Sequence, residues 1–177
     1  MLEQNIFAGF GGQGVLLMGQ LLAYAGMLEN KEVSWLPSYG PEMRGGTANC
    51  SVVISDTPVA SPIVTKASAV VAMNRPSLDK FEDYVQKGGM LFINSSIIDK
   101  KAERSDISAY YIPCNQIAEQ LGNPRVANMV MLGAYIKKTQ CVDFENVLTA
   151  LLNKLGEHKA HLIPLNREAL NRGAACL

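Results

Sequence analysis

Six residues near the start of the chain, Gly9-Phe10-Gly11-Gly12-Gln13-Gly14, carry its clearest chemical signal. Glycine accepts positive φ freely and lets a ligand approach the backbone closely. Placed at the start of a helix, such a turn offers unpaired N–H groups and the positive end of the helix dipole to an anion, and phosphate is the usual occupant. The residues match G-x-G-x-x-G, with an apolar strand before and an apolar helix after, as a dinucleotide site requires. That reading also needs an acid at the end of the second strand to hold ribose hydroxyls. Leu36-Pro37-Ser38 occupies that place, and Glu29 and Glu32 fall too early. Two readings stand: a phosphate or pyrophosphate seat made by Gly9, Gly11, Gly12, Gln13 and Gly14, or glycines that only let a helix pack closely on a strand.

A second stretch, Tyr39-Gly40-Pro41-Glu42-Met43-Arg44-Gly45-Gly46, places a phenol, an acid and an arginine within six residues of a stiff loop. Following the second strand, it is expected at the same sheet edge as the glycine turn. Arg44 is suited to a bidentate grip on phosphate or carboxylate; alternatively Glu42 and Arg44 pair with each other and fix the loop. Asn128 and Tyr135 lie on an apolar helical stretch. Each is read as a core hydrogen-bonding group, with Asn128 also kept as a candidate ligand contact. His158 and His161 fall on a polar stretch and read as surface. No nucleophile–base pair, paired carboxylates or metal cluster is visible. Cys50, Cys114, Cys141 and Cys176 are isolated, with no C-x-x-C pair to suggest an iron–sulfur or zinc site.

These residues need a scaffold, and the hydrophobic pattern supplies one. Asn5–Ala8 reads as a strand, Val15–Leu28 as a helix apolar nearly all round, and Glu32–Leu36 as a second strand. Thr47–Ser55 is a strand, and Val59–Ile63 is expected as a short edge strand between Pro58 and Pro62. The continuous apolar runs Ala69–Met73 and Met90–Ile93 read as strands covered on both faces. Between them, Asn74 caps a helix that Gly88-Gly89 should stop. Ala109–Pro113 is a last strand. Asn115 is expected to cap a short helix, Asp143 another, and two further helices cover 125–138 and 157–172, the latter broken near Pro164. The expected fold is one domain over residues 1–177: a Rossmann-like three-layer α/β/α arrangement with a mostly parallel, mixed sheet.

At 177 residues the chain is long enough for a substantial core. Sixteen basic and sixteen acidic residues balance, which argues against nucleic acid as a partner. A charged fraction of 18% suggests that other chains cover part of the surface. No apolar run is long enough to span a membrane, and no basic leader precedes the first strand, so a reducing cytoplasm is expected.

Taken together, Phe7–Val15 and Ser38–Cys50 closely resemble the gamma subunit of the 2-oxoacid:ferredoxin oxidoreductases. The likeness continues through Ala72-Met73-Asn74, Gly88-Gly89, Ile93-Asn94-Ser95-Ser96 and Arg125-Val126-Ala127-Asn128-Met129, and these segments look most like the 2-oxoglutarate branch. The resemblance implies a complex that decarboxylates a 2-oxoacid on thiamine diphosphate, passes electrons through iron–sulfur clusters to ferredoxin, and hands the acyl group to coenzyme A. It implies that thiamine diphosphate, Mg and the clusters belong to alpha, beta and ferredoxin-like delta subunits. This chain would hold none of them and would be inactive alone. Coenzyme A would meet the glycine turn, with Gln13, Tyr39, Glu42, Arg44 and Asn128 as polar neighbours. Pyruvate, 2-ketoisovalerate or indolepyruvate as substrate, a stand-alone nucleotide-binding protein, a pure assembly module, and a homodimer of the isolated chain are the competing expectations.

Overall fold

The computed structural model describes residues 1–38 and 47–177. Strand β1 (Leu2–Phe10) is followed by helix α1 (Val15–Leu28) and strand β2 (Glu32–Ser38). Next come β3 (Thr47–Ser55), β4 (Ala67–Ala72), α2 (Arg75–Phe81), β5 (Val85–Asn94) and β6 (Ser108–Ile112). The chain ends in α3 (Cys114–Gln120), α4 (Ala127–Thr139), α5 (Phe144–Leu155) and α6 (Ile163–Ala174). Among the described residues the strands form one six-stranded mixed sheet in the order β2-β3-β1-β4-β5-β6. β1, β4, β5 and β6 run parallel, while β3 is antiparallel to both β1 and β2.

Alternation along β1 divides the core in two. Phe7 faces a large cluster with α1, α4, α5 and α6, whereas Ile6 and Ala8 face a smaller one with Leu78 and Phe81 of α2. This makes the three layers expected. In the larger cluster the fully buried Tyr135 meets Phe7 and Phe92 edge-on, with centroids 5.3 and 5.7 Å apart. Its hydroxyl lies 3.5 Å from Cys141 Sγ, satisfying the polar group in the core.

Several local expectations are corrected. Val59–Ile63 forms no strand, since Pro58 and Pro62 lack the N–H groups a ladder needs; Val59 and Val64 instead cover the smaller core. The helix after Asn74 ends at Phe81, well before Gly88-Gly89, which lie inside β5. There the parallel register with β4 shifts between Ala67 and Ala69, and Gly88 takes φ 77°. Asn115 lies within α3 rather than capping it, because Ser96 Oγ accepts the Asn115 and Gln116 N–H groups at 3.0 and 3.1 Å. Asp143 holds the N-cap position of α5 without a side-chain bond. The Glu29 carboxylate from the end of α1 accepts the Asp143 N–H at 2.7 Å and the Asn146 amide at 2.9 Å instead. The 157–172 stretch does divide near Pro164, as expected: a 3-10 turn, Glu157–Leu162, gives way to α6, which Pro164 opens in its first turn, where its missing N–H costs nothing.

A candidate anion-binding crevice at the carboxyl edge of the sheet

β1 and β4 are adjacent and parallel, yet the chain leaves them in opposite directions. α1 carries it toward β2 and β3, and α2 carries it toward β5 and β6. That divergence opens a crevice beyond the carboxyl ends of the two strands, where ligands of open α/β sheets bind. The glycine turn forms one lip and Met73-Asn74 the other.

Gln13 joins the lips. Its Oε1 accepts the Phe10 N–H at 2.7 Å, and its Nε2 donates to Met73 O at 3.0 Å. Both polar atoms of its amide are therefore engaged, which makes Gln13 the residue that shapes the turn. The glycines divide between the two sequence readings. A Cβ on Gly9 would lie 2.7 Å from Gln13 Oε1 and 2.9 Å from Val15 Cγ1, and one on Gly14 would lie 2.4 Å from Asn128 Nδ2. These two allow close packing. Gly12, at φ 96°, has nothing within 4 Å of the corresponding point, and Gly11 is exposed. These two border open space.

Gly14, in the left-handed conformation, is the N-cap of α1 and makes no side-chain capping bond; no acid lies in the first turn. The first intrahelical bond runs from Met18 N to Gly14 O at 3.0 Å. The positive end of α1 is thus left to the crevice. Asn128 is buried against it, donating to Gly14 O at 3.5 Å while its Oδ1 accepts the Met129 N–H at 2.9 Å. On one side of the turn is a cleft of about 130 Å³ bordered by Gly12, Gln13, Asn115, Arg125 and Asn128. On the other is a more apolar groove of about 200 Å³ along Phe10, Leu16 and Ala48.

Tyr39, Glu42 and Arg44 lie outside the described residues. The strand ends that bound their segment are described: Thr47 pairs with Phe10, and Ser38 pairs with Asn49. Both ends therefore lie at the edge that carries the glycine turn.

The structure adds residues that motif reasoning did not place in the site. Asn94, at the end of β5 and fully buried, donates to Asn115 Oδ1 at 2.8 Å and to Met73 O at 3.5 Å. Arg125 comes from the 3-10 turn Pro124–Val126 that precedes α4. The available signal was position, since Asn94 ends a strand at the carboxyl edge. Cys50 lies beneath the turn, its thiol donating to Val15 O at 3.6 Å; burial pushes that thiol up to about 12, so it is no nucleophile. His158 and His161 are on the Glu157–Leu162 turn between α5 and α6. Among the described residues no three His, Cys, Asp or Glu side chains gather to hold a metal ion.

Fold and site together define an α/β domain with an uncapped helix N-terminus at the carboxyl edge of its sheet, where the described residues form no acid–base pair. The chain belongs to the pyruvate ferredoxin/flavodoxin oxidoreductase family, whose profile matches residues 4–176. It is 37% identical over 172 residues to the 2-oxoglutarate synthase subunit KorC of Methanocaldococcus jannaschii, covering 94% of this chain and 92% of that one. It is 48% identical over 126 residues to the ketoisovalerate oxidoreductase subunit VorA of Methanothermobacter thermautotrophicus. That match covers 71% of this chain, which spans only about a quarter (26%) of the VorA length. Among solved structures, the gamma subunit of a keto/oxoacid ferredoxin oxidoreductase from Geobacter sulfurreducens superposes with TM-score 0.83 at 30% identity, covering 98% and 97% of the two chains. The resemblance carried by the two sequence motifs is borne out at the level of the family.

Proposed function

We propose that this chain is the gamma subunit of a 2-oxoacid:ferredoxin oxidoreductase and that its glycine turn receives part of coenzyme A. In this reading the complex removes CO2 from a 2-oxoacid, transfers the acyl group to the thiol of coenzyme A and passes two electrons to ferredoxin. Thiamine diphosphate, Mg and the iron–sulfur clusters are held by alpha, beta and delta partners in the cytoplasm. Among the described residues no helix is long and apolar enough to cross a membrane. The observation that carries the coenzyme reading is the uncapped N-terminus of α1 behind Gly12, whose backbone borders open space at φ 96°. Tyr39, Glu42 and Arg44 are proposed as further contacts.

The favoured substrate is 2-oxoglutarate, because the similarity to KorC runs over more than nine-tenths of both chains. A second reading, 2-ketoisovalerate, is favoured by the higher identity to VorA over the shorter stretch. Assaying the co-expressed complex with 2-oxoglutarate, 2-ketoisovalerate, pyruvate and indolepyruvate decides between them. A complex that turns over 2-ketoisovalerate best overturns the first. For the coenzyme, Gly12→Asp places a carboxylate at the open helix end. The expected result is a KM for coenzyme A raised by at least about tenfold, equivalent to about 1.4 kcal/mol. An unchanged KM refutes the glycine-turn assignment.

A further inference from the structure

The sheet has two edges, and the chain treats them differently. At β6, Lys101 and Lys138 stand over Tyr111 and Tyr110, their ammonium groups 4.1 and 4.9 Å from the ring centres. Lysines at an edge keep another strand from adding to it. The opposite edge, β2, is seven residues long, and among the described residues no backbone group pairs with its outer side. Its two guards, Glu32 and Pro37, lie toward the ends. Between them Val33-Ser34-Trp35-Leu36 carries no charge.

The helix above that edge is as bare. No charged residue occurs in α1 from Val15 to Leu28, and its Tyr24 and Met27 are 57% and 56% exposed. Leu36 of β2 is exposed as well. Gln20, Tyr24 and Met27 of α1, with Val33 and Trp35 of β2, line a groove of about 340 Å³ between helix and strand. A Cβ on Gly19 would lie 3.0 Å from Trp35 Nε1, and one on Gly26 would lie 2.8 Å from Val33 Cγ1. Tyr24, between those glycines, therefore stands over the middle of β2. The helix runs roughly 21 Å and the strand roughly 24 Å, so one partner can cover both.

The occupant that fits is a second copy of this chain. Antiparallel pairing of β2 with itself uses a twofold axis perpendicular to the sheet, which keeps both α1 helices on one side. It sends the two Glu32 carboxylates to opposite ends of the paired strands, roughly 20 Å apart, well beyond a screening length of about 8 Å. No charged side chain lines the groove, so no like charges meet at its centre. Joining β2 to β6 of a neighbour instead would build open fibres, and the lysines over β6 oppose that contact. We propose that two copies of this chain join along β2, the strands pairing antiparallel and Tyr24 and Met27 of the two α1 helices closing over the seam. The inference stands apart from the coenzyme A reading.

The test sizes the full-length chain by analytical ultracentrifugation over a concentration series, with native mass spectrometry to count copies. The wild-type chain is expected to sediment as a pair. Tyr24→Lys, Tyr24→Glu and Leu36→Lys alter exposed side chains and should leave Tm unchanged. Each is expected to weaken self-association by at least about a hundredfold, because every substitution enters a twofold interface twice. Mixing Tyr24→Lys with Tyr24→Glu restores the pair, which only a contact of this face with its own copy explains. Ile63→Lys, at a side chain 62% exposed elsewhere, behaves as wild type. A wild-type chain that stays monomeric throughout the series overturns the proposal. A pair that survives both Tyr24→Lys and Leu36→Lys overturns it too, as does a mixture of the two Tyr24 variants that stays monomeric. If Tyr24→Lys lowers Tm, Leu36→Lys alone decides. The same variants in the co-expressed complex separate the remaining occupant: a wild-type complex with one copy of this chain, from which Tyr24→Lys releases the larger subunits, gives the face to those subunits and refutes the pair.

Discussion

Glycine serves opposite ends in two regions of this molecule. At the crevice, Gly12 borders open space, and its backbone is available to a visitor. At the seam between α4 and α6, a Cβ on Gly133 would lie 2.0 Å from Leu170 O, and one on Gly173 would meet the Val130 carbonyl oxygen even more closely. There the two helix backbones touch, and glycine is what lets them. Gly14 stands between these extremes, since a Cβ would strike the end of the Asn128 side chain, 2.4 Å away. The lesson is that glycine content marks where the backbone is approached; only the neighbours say whether a helix or a ligand approaches it.

Alanine substitutions should separate the two regions. Gly133→Ala has only backbone to push against, so a loss of about 3 kcal/mol is expected. For a domain of this size that is a fall in Tm of about 10 °C by thermal denaturation. Gly14→Ala combines a positive φ with a clash against a side chain that can swing away. A loss of about 2 kcal/mol is expected, partly recovered in the double variant with Asn128→Ser; no recovery would mean that backbone strain alone sets the cost. Gly12→Ala meets no atom and suffers only from its φ of 96°, so about 1 kcal/mol is expected. If Gly12→Ala proves as damaging as Gly133→Ala, the crevice is a packing device and the comparison fails.

The two helix N-termini offer a smaller test. Burial raises the pKa of Glu29, but hydrogen bonds from Lys31, the Asp143 N–H and Asn146 outweigh it, and the carboxyl ends below its ordinary 4.5. Because the folded value is depressed, the stabilisation is fully present above pH 4.5 and is lost as pH falls through that lower value. Glu29→Gln should cost about 1 kcal/mol near neutrality, the worth of a helix cap. The gap in Tm between wild type and variant should close in titrations below pH 4.5. A gap that persists at low pH would show that shape, and not charge, closes the end of α5. Arg167→Ala, at the exposed pair with Glu145, should leave Tm unchanged.

Much of this was legible in the chain itself. Apolar runs such as Ala69–Met73 located buried strands, because a strand covered on both faces cannot alternate. Asn74 was recognised as a cap and accepts the Ser77 N–H at 2.9 Å. The glycine turn and Ser38–Cys50 together marked the family. Local chemistry misled where the answering group comes from far away in sequence. Asp143 has the residue type of a cap, but Glu29, 114 residues earlier, accepts its N–H. Asn115 looks like a cap, but Ser96 does that work and leaves the Asn115 amide to the crevice.

Residue types and spacing alone determined an α/β chain with a glycine-rich turn at the start of its first helix, and the family to which it belongs. Those properties follow from local backbone preference and hydrophobic period, which each segment carries with it. Only the tertiary structure decided that β3 inserts antiparallel between β1 and β2, that Gln13 is consumed in joining two loops, and that Arg125 borders the same cleft as Gly12. Each depends on which distant polar group reaches a donor or acceptor first. That competition is settled when the sheet and helices pack, and no segment records it alone.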